Sequence, residues 1–123
     1  MKFGGTSVGS VNSILNLKGI VEAAAAKERV IVVVSALGGI TDKLIKTASM
    51  AVNGDAEFNS EFQEIVERHH SLIENIISDS AKRTALLQEV DILLNELNNI
   101  YHLVSLSSMQ LRLTLADLHI SQQ

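Results

Sequence analysis

Near the start of the sequence stand Lys2, Gly4, Gly5, Thr6 and Ser7: one cation, two glycines and two hydroxyls, with Gly9 closing the run. These residue types handle anions. Glycines let backbone N–H groups approach phosphate oxygens, a following helix offers its positive end, and a lysine supplies a mobile full charge. A phosphoryl group whose charge shifts during transfer would be served by that combination. The spacing is not that of a Walker loop, because Ser10-Val11 stands where Lys-Ser/Thr is required, and G-x-G-x-x-G is unmatched too. A glycine-rich strand-to-helix turn beside a solvated lysine has the same spacing, so types and spacing leave both readings open.

The elements that must position this cluster can be read on either side of it. Met1-Lys2-Phe3 resembles the end of a strand, leading into a turn where Gly4 and Gly5 can adopt positive φ. Val11, Ile14, Leu17, Val21, Ala24 and Ala25 recur at helical spacing between about Ser10 and Ala26, with Ser10 as N-cap. Arg29 to Ser35 is a β-branched run of the kind buried on both faces of a parallel sheet. Residues 1–35 therefore read as a β-α-β unit. Leu37-Gly38-Gly39-Ile40-Thr41 is a second flexible turn, after which Thr41 or Asp42 caps a helix whose apolar face is Leu44, Ile45, Ala48, Ala51 and Val52. Asn53-Gly54 stops it.

A longer helix is expected from about Ala56 to Ile77, with Phe58, Phe62, Ile65, Val66, His69, Leu72, Ile73 and Ile76 on one side. Asp79-Ser80 reads as a break and N-cap. The next helix, from about Ala81 to Tyr101, places Leu86, Leu87, Val90, Leu93, Leu94, Leu97 and Ile100 together, and the two helices form an antiparallel hairpin. Beyond His102 the only charges are Arg112 and Asp117, and the leucines fit neither period cleanly. Two buried-type strands need more neighbours, so the chain reads as the first part of a larger α/β domain.

Composition narrows the classes. The 123 residues suit one domain, and 46% apolar content with a net charge of −4 describes a soluble, mildly acidic protein without the basic face of a nucleic-acid binder. Cysteine is absent, which suits the cytoplasm and excludes disulfides, and no apolar run is long enough to span a membrane. No cationic segment leads into an apolar stretch at the N-terminus, so no signal peptide is expected. His69 and His70 point about 100° apart on a helix and make no metal pair; no metal site is expected. Glu57, Glu61, Glu64, Glu67 and Glu74 read as a solvated helix face, with Glu64 and Arg68 spaced for an ion pair.

The string KFGGTSVG, residues 2–9, resembles the opening signature of the aspartokinases in the amino-acid kinase superfamily, and VIVVVSALGGIT, residues 30–41, is similar to their second strand and loop. The helical stretch 42–101 is similar to the helices inserted there in monofunctional and bifunctional members. The resemblance covers about residues 1–102. It implies part of a carbamate-kinase-like αβα sandwich, here two parallel strands with mostly helices, and leaves 103–123 as an atypical tail. It also implies that Lys2 contacts the ATP phosphates and stabilises the transferring phosphoryl group, with Gly4, Gly5, Thr6, Ser7 and Ser35 beside it. Gly38 and Gly39 would shape the second loop and Thr41 would bind aspartate. The implied reaction joins ATP and L-aspartate, with Mg²⁺ on the nucleotide, to give 4-phospho-L-aspartate for lysine, threonine and methionine synthesis. A homo-oligomer is expected.

Three features depart from the family pattern. Only Met1 precedes the lysine, where the family strand has several apolar residues. The family's Val-Ser-x-Gly-Glu motif, whose glutamate binds aspartate, is expected soon after Tyr101-His102, where Leu103-Val104-Ser105-Leu106-Ser107-Ser108 stands instead. The later nucleotide-base pocket, substrate arginine and regulatory domains are absent from these 123 residues. The expectation is a truncated N-terminal kinase segment, inactive alone, with a shifted reading frame or unrelated tail after residue 102. The competing expectation is a non-catalytic helical fragment that acts through self-association.

Overall fold

A computed structural model describes residues 1–121; residues 122 and 123, the end of the expected tail, lie outside the described residues. The elements run β1 (Lys2–Phe3), α1 (Val11–Ala25), β2 (Val33–Val34), α2 (Ile40–Val52), α3 (Phe58–Ile76) and α4 (Ser80–Ser121). The two strands are parallel, with Lys2 opposite Val33 and Phe3 opposite Val34. The β-α-β reading of residues 1–35 therefore holds, but the second strand is shorter than the β-branched run that announced it. A ladder is only as long as its shorter partner. The Met1 ammonium donates to Ile31 O at 2.5 Å, and the Val33 and Ser35 amides donate to Met1 O and Phe3 O at 2.6 and 3.0 Å.

The expected burial of that strand on both faces is not observed. Ile31 is 80% exposed, and Val33 and Val34 are 52% and 56% exposed. A two-stranded sheet covers one edge of β2, and covering its faces takes helices packed on both sides.

Helix α1 follows the sequence closely. The Ser10 hydroxyl accepts from the Ser13 amide at 3.1 Å, as an N-cap should. Val11, Ile14, Leu17, Val21 and Ala24 form its half-buried face, which packs toward α3. Helix α2 begins at Ile40, earlier than a Thr41 or Asp42 cap would allow. Its cap is Gly39, left-handed at φ 79°, with no side-chain capping bond. The buried stripe is Ile40, Leu44, Thr47, Ala48 and Ala51, while Ile45 and Val52 are exposed. Thr47 is completely buried because its hydroxyl donates to Lys43 O at 2.7 Å and so needs no water. Gly54, at φ 72°, ends the helix as expected.

The core lies between α2, α3 and α4. Ile40, Ala51, Phe58, Phe62, Ile65, Leu94 and Tyr101 are buried together there. Tyr101 stands edge-on to Phe58 and Phe62, at centroid distances of 6.5 and 6.2 Å, and its hydroxyl donates to Leu44 O at 2.9 Å. The polar end of the ring is thus satisfied while its body fills the core. Asp79 caps α4, its carboxylate accepting from the Ala81 and Lys82 amides at 3.0 Å each, and α3 and α4 pack as the expected hairpin. Leu93 and Ile100, assigned to the buried face, are exposed; Tyr101 takes the core position.

The expected change of character after His102 does not end the helix. Helix α4 continues to Ser121 because residues 103–121 contain no glycine or proline and are rich in leucine, a strong helix former. The continuation touches α2 near its C-terminus. The Ser108 hydroxyl donates to Val52 O, and a Cβ on Gly54 would lie 3.0 Å from Arg112 Nη1. Past that contact, Leu111, Leu113, Leu115 and Leu118 are exposed.

Candidate phosphate-binding site

Parallel strands place their C-terminal ends side by side, so the loops that follow β1 and β2 leave the sheet together. Loop 1 is a succession of tight turns. The amides of Ser7, Val8 and Gly9 donate to the carbonyls of Gly4, Gly5 and Thr6 at 3.0, 3.3 and 3.3 Å. That arrangement uses the second half of the loop internally, and among the described residues the amides of Gly4, Gly5 and Thr6 make no such bond. Val8 is buried and anchors the turn.

The glycines do not use the positive φ that was open to them in loop 1. Neither Gly4 nor Gly5 has positive φ; among the described residues only Gly39 and Gly54 do. Gly5, Gly9 and Gly38 instead allow two backbones to touch. A Cβ on Gly38 would lie 2.8 Å from Gly5 O, closer than real Cβ contacts, and one on Gly9 would lie 3.1 Å from the same oxygen. A Cβ on Gly5 would meet Ala36 O and the Gly38 Cα at 3.5 Å. Gly4 has nothing within 4 Å of its Cβ position and faces open space.

Loop 1 and loop 2 are therefore in backbone contact. Lys2 is exposed in β1 opposite Val33, and Ser35 is exposed just past β2, its amide bonded to Phe3 O. Thr6 and Ser7 do not face loop 2; they line a cleft of about 250 Å³ with Phe3, Ser13, Asn16, Leu17 and Ile20 of β1 and α1. Ser35 lines a separate one with Leu37, Ile40 and His69. Thr41 is exposed in the first turn of α2, directly after the left-handed Gly39. The glycine loops thus meet at one seam, with Ser35 and Thr41 on either side of loop 2 in sequence, while Thr6 and Ser7 line a cleft toward α1.

The amino acid kinase family model matches residues 1–121. The chain belongs to the amino acid kinase family. Within that family it is similar to a protein named aspartokinase from Bacillus sp. (strain MGA3), 52% identical over 48 residues. That stretch is 38% of this chain and 12% of the relative's length. The family match extends through residues 103–121, the segment whose composition had set it apart.

One residue at the seam carries no signal in the glycine motifs. Arg68 of α3 donates from Nη2 to Gly9 O at 3.2 Å, and its Nη1 lies 3.8 Å from the Cβ position of Gly39. The expected Glu64–Arg68 pair is not formed, because Lys43 engages Glu64. Lys43 also lies 3.1 Å from Glu61, which Lys46 reaches at 3.3 Å. These contacts raise the Lys43 ammonium above its ordinary pKa, through its bonds to Glu64 and Glu61, and hold the Glu61 carboxyl below its own, through Lys43 and Lys46. The cluster ties α2 to α3 beneath loop 2. Neither histidine joins it: His69 Nδ1 is 2.7 Å from Ile65 O, and His70 Nε2 is 2.5 Å from Asp91 Oδ1 on α4.

Proposed function

We propose that this chain carries the phosphate-binding loops of an aspartate kinase, with ATP as phosphoryl donor and the side-chain carboxylate of L-aspartate as acceptor. The observation that carries the reading is the backbone contact between Gly5 and Gly38, which brings together two glycine loops, one of them following the strand that carries the exposed Lys2. The likeness to the Bacillus aspartokinase supports aspartate as the acceptor. A carboxylate oxygen would attack the γ-phosphorus, the bond to the bridging oxygen would break, and ADP would leave with that electron pair. No proton has to move, so the protein's task is to orient the groups and neutralise charge.

Lys2 and the amides of Gly4, Gly5 and Thr6 would take the charge on the terminal phosphates, and Thr41 would hydrogen-bond the aspartate. Mg²⁺ would arrive on the nucleotide and screen its phosphates. Among the described residues no group of three or more acidic, histidine or cysteine side chains is placed to hold a metal, so the ion's protein-side ligands would be few. Titration of the chain with MgATP should give saturable binding that Lys2→Ala weakens at least tenfold. Identical curves for the two proteins would sink the reading. Aspartyl phosphate, trapped as its hydroxamate, should not exceed the Lys2→Ala background, because the chain lacks the family's Ser-x-Gly-Glu segment.

A second reading is favoured by the apolar side chains left in solvent on β2 and along the end of α4. Such surfaces drive association. Sedimentation should show oligomers that grow with concentration, with or without nucleotide, and a monomer at every concentration would remove this reading.

A further inference from the structure

Arg68 is the only lysine or arginine of α3, and it stands on the apolar stripe of that helix: Ile65, Arg68, His69 and Leu72 share one face. A cation there would ordinarily turn to solvent or to the nearest carboxylate. Its neighbour Glu64 is instead held by Lys43, and the half-buried guanidinium reaches across to the glycine loops. One nitrogen bonds the Gly9 carbonyl of loop 1, while the other stands 3.8 Å from where a Cβ on Gly39 of loop 2 would lie, beside the bare face of that glycine. We infer that Arg68 is a positioning residue that clasps the two glycine loops in register, so that the free amides of loop 1 face the phosphates. This rests on the phosphate-binding reading above.

The seam itself explains why a clasp is needed. Gly5, Gly9 and Gly38 meet backbone to backbone and present no side chains that could interlock and resist sliding. Loop 1 has internal turn bonds, but these fix its shape and not its position against loop 2. A planar guanidinium spans two sites with fixed geometry, whereas a lysine ammonium is a single point on a flexible stem. The anchor of the clasp is also firm. Ile65, one turn before Arg68, is 1% exposed in the core, and the Lys43 cluster fixes α3 to the helix that follows loop 2.

The test uses the whole chain and four proteins: wild type, Arg68→Ala, Arg68→Lys and, as a packing control on the same helix, Val66→Ala. Amide hydrogen exchange without nucleotide should show Ser7, Val8 and Gly9 exchanging about tenfold faster in both Arg68 variants, with α4 amides unchanged, as expected for loss of a charge-assisted hydrogen bond. Val66→Ala should leave the loop amides as they are. MgATP should bind about tenfold more weakly to both Arg68 variants, and normally to Val66→Ala. Unchanged loop exchange in Arg68→Ala overturns the clasp, as does full rescue by Arg68→Lys. Wild type that fails to bind MgATP, with the loop exchange altered as expected, overturns the phosphate reading and leaves the clasp standing.

Discussion

Gly4 and Gly5, two and three residues after Lys2, occupy opposite situations. Gly4 borders open space, whereas Gly5 is pressed against Gly38, and the difference separates ligand access from framework. Gly38→Ala would put a methyl 2.8 Å from Gly5 O, so a backbone must shift, at a cost of about 1–3 kcal/mol, and MgATP binding should fall with it. Gly4→Ala meets nothing and should change stability by less than about 0.5 kcal/mol. Any loss of MgATP affinity in Gly4→Ala then reports crowding of the ligand itself. Thermal melts beside nucleotide titrations of both variants check the contrast; equal destabilisation of the two would contradict the seam.

At the scale of elements, the α2–α3 charge cluster sets a pH dependence. Glu61 titrates lower when folded, so the stability it contributes is present above its unfolded pKa of about 4.3 and is lost as pH falls through the lower folded value. Lys43 titrates higher when folded, so its contribution is complete below about 10.4 and fades as pH rises through the higher folded value. Glu61→Gln should melt below wild type at pH 7, and the gap should close as pH drops below about 4. A gap that widens in acid would contradict the pairing.

Elements governed by neighbouring residues were the legible ones. Ser10 caps α1, Gly54 stops α2 and Asp79 starts α4, because each acts on amides or carbonyls within a few positions. The length of β2 was not legible, since it depends on a partner thirty residues away. Nor was the choice of Thr47 over Ile45 for the core, which is set by how α2 packs against α3 and α4. At the glycine motifs the backbone conformation was not legible, because close approach and positive φ both select glycine. Arg68 was masked by a nearer carboxylate that pairs elsewhere.

Across the whole molecule, the apolar residues divide unevenly. The α2–α4 group encloses the principal core, while β2 and the last turns of α4 leave Ile31, Val33, Val34, Leu111 and Leu113 in solvent. No helix among the described residues is long and apolar enough to cross a membrane. The continuation of α4 meets the end of α2 at Ser108, which bonds Val52 O, and Arg112 lies close by Gly54.

That uneven core has a kinetic meaning. Helices α2, α3 and α4 are consecutive and close short loops, so a nucleus built from Phe62, Ile65 and Tyr101 can assemble at low entropic cost, whereas β1 must find β2 across thirty residues. The glycine loops are then the last part of the chain to reach their native arrangement. Ile65→Ala should slow refolding, and Val8→Ala, in loop 1, should leave the refolding rate nearly unchanged and speed unfolding instead. Stopped-flow chevrons of the two variants would show it, and a fractional effect on refolding as large for Val8 as for Ile65 would place the loops in the nucleus. In such an order of assembly, the glycine loops owe their shape to a helical scaffold that is already complete when they close.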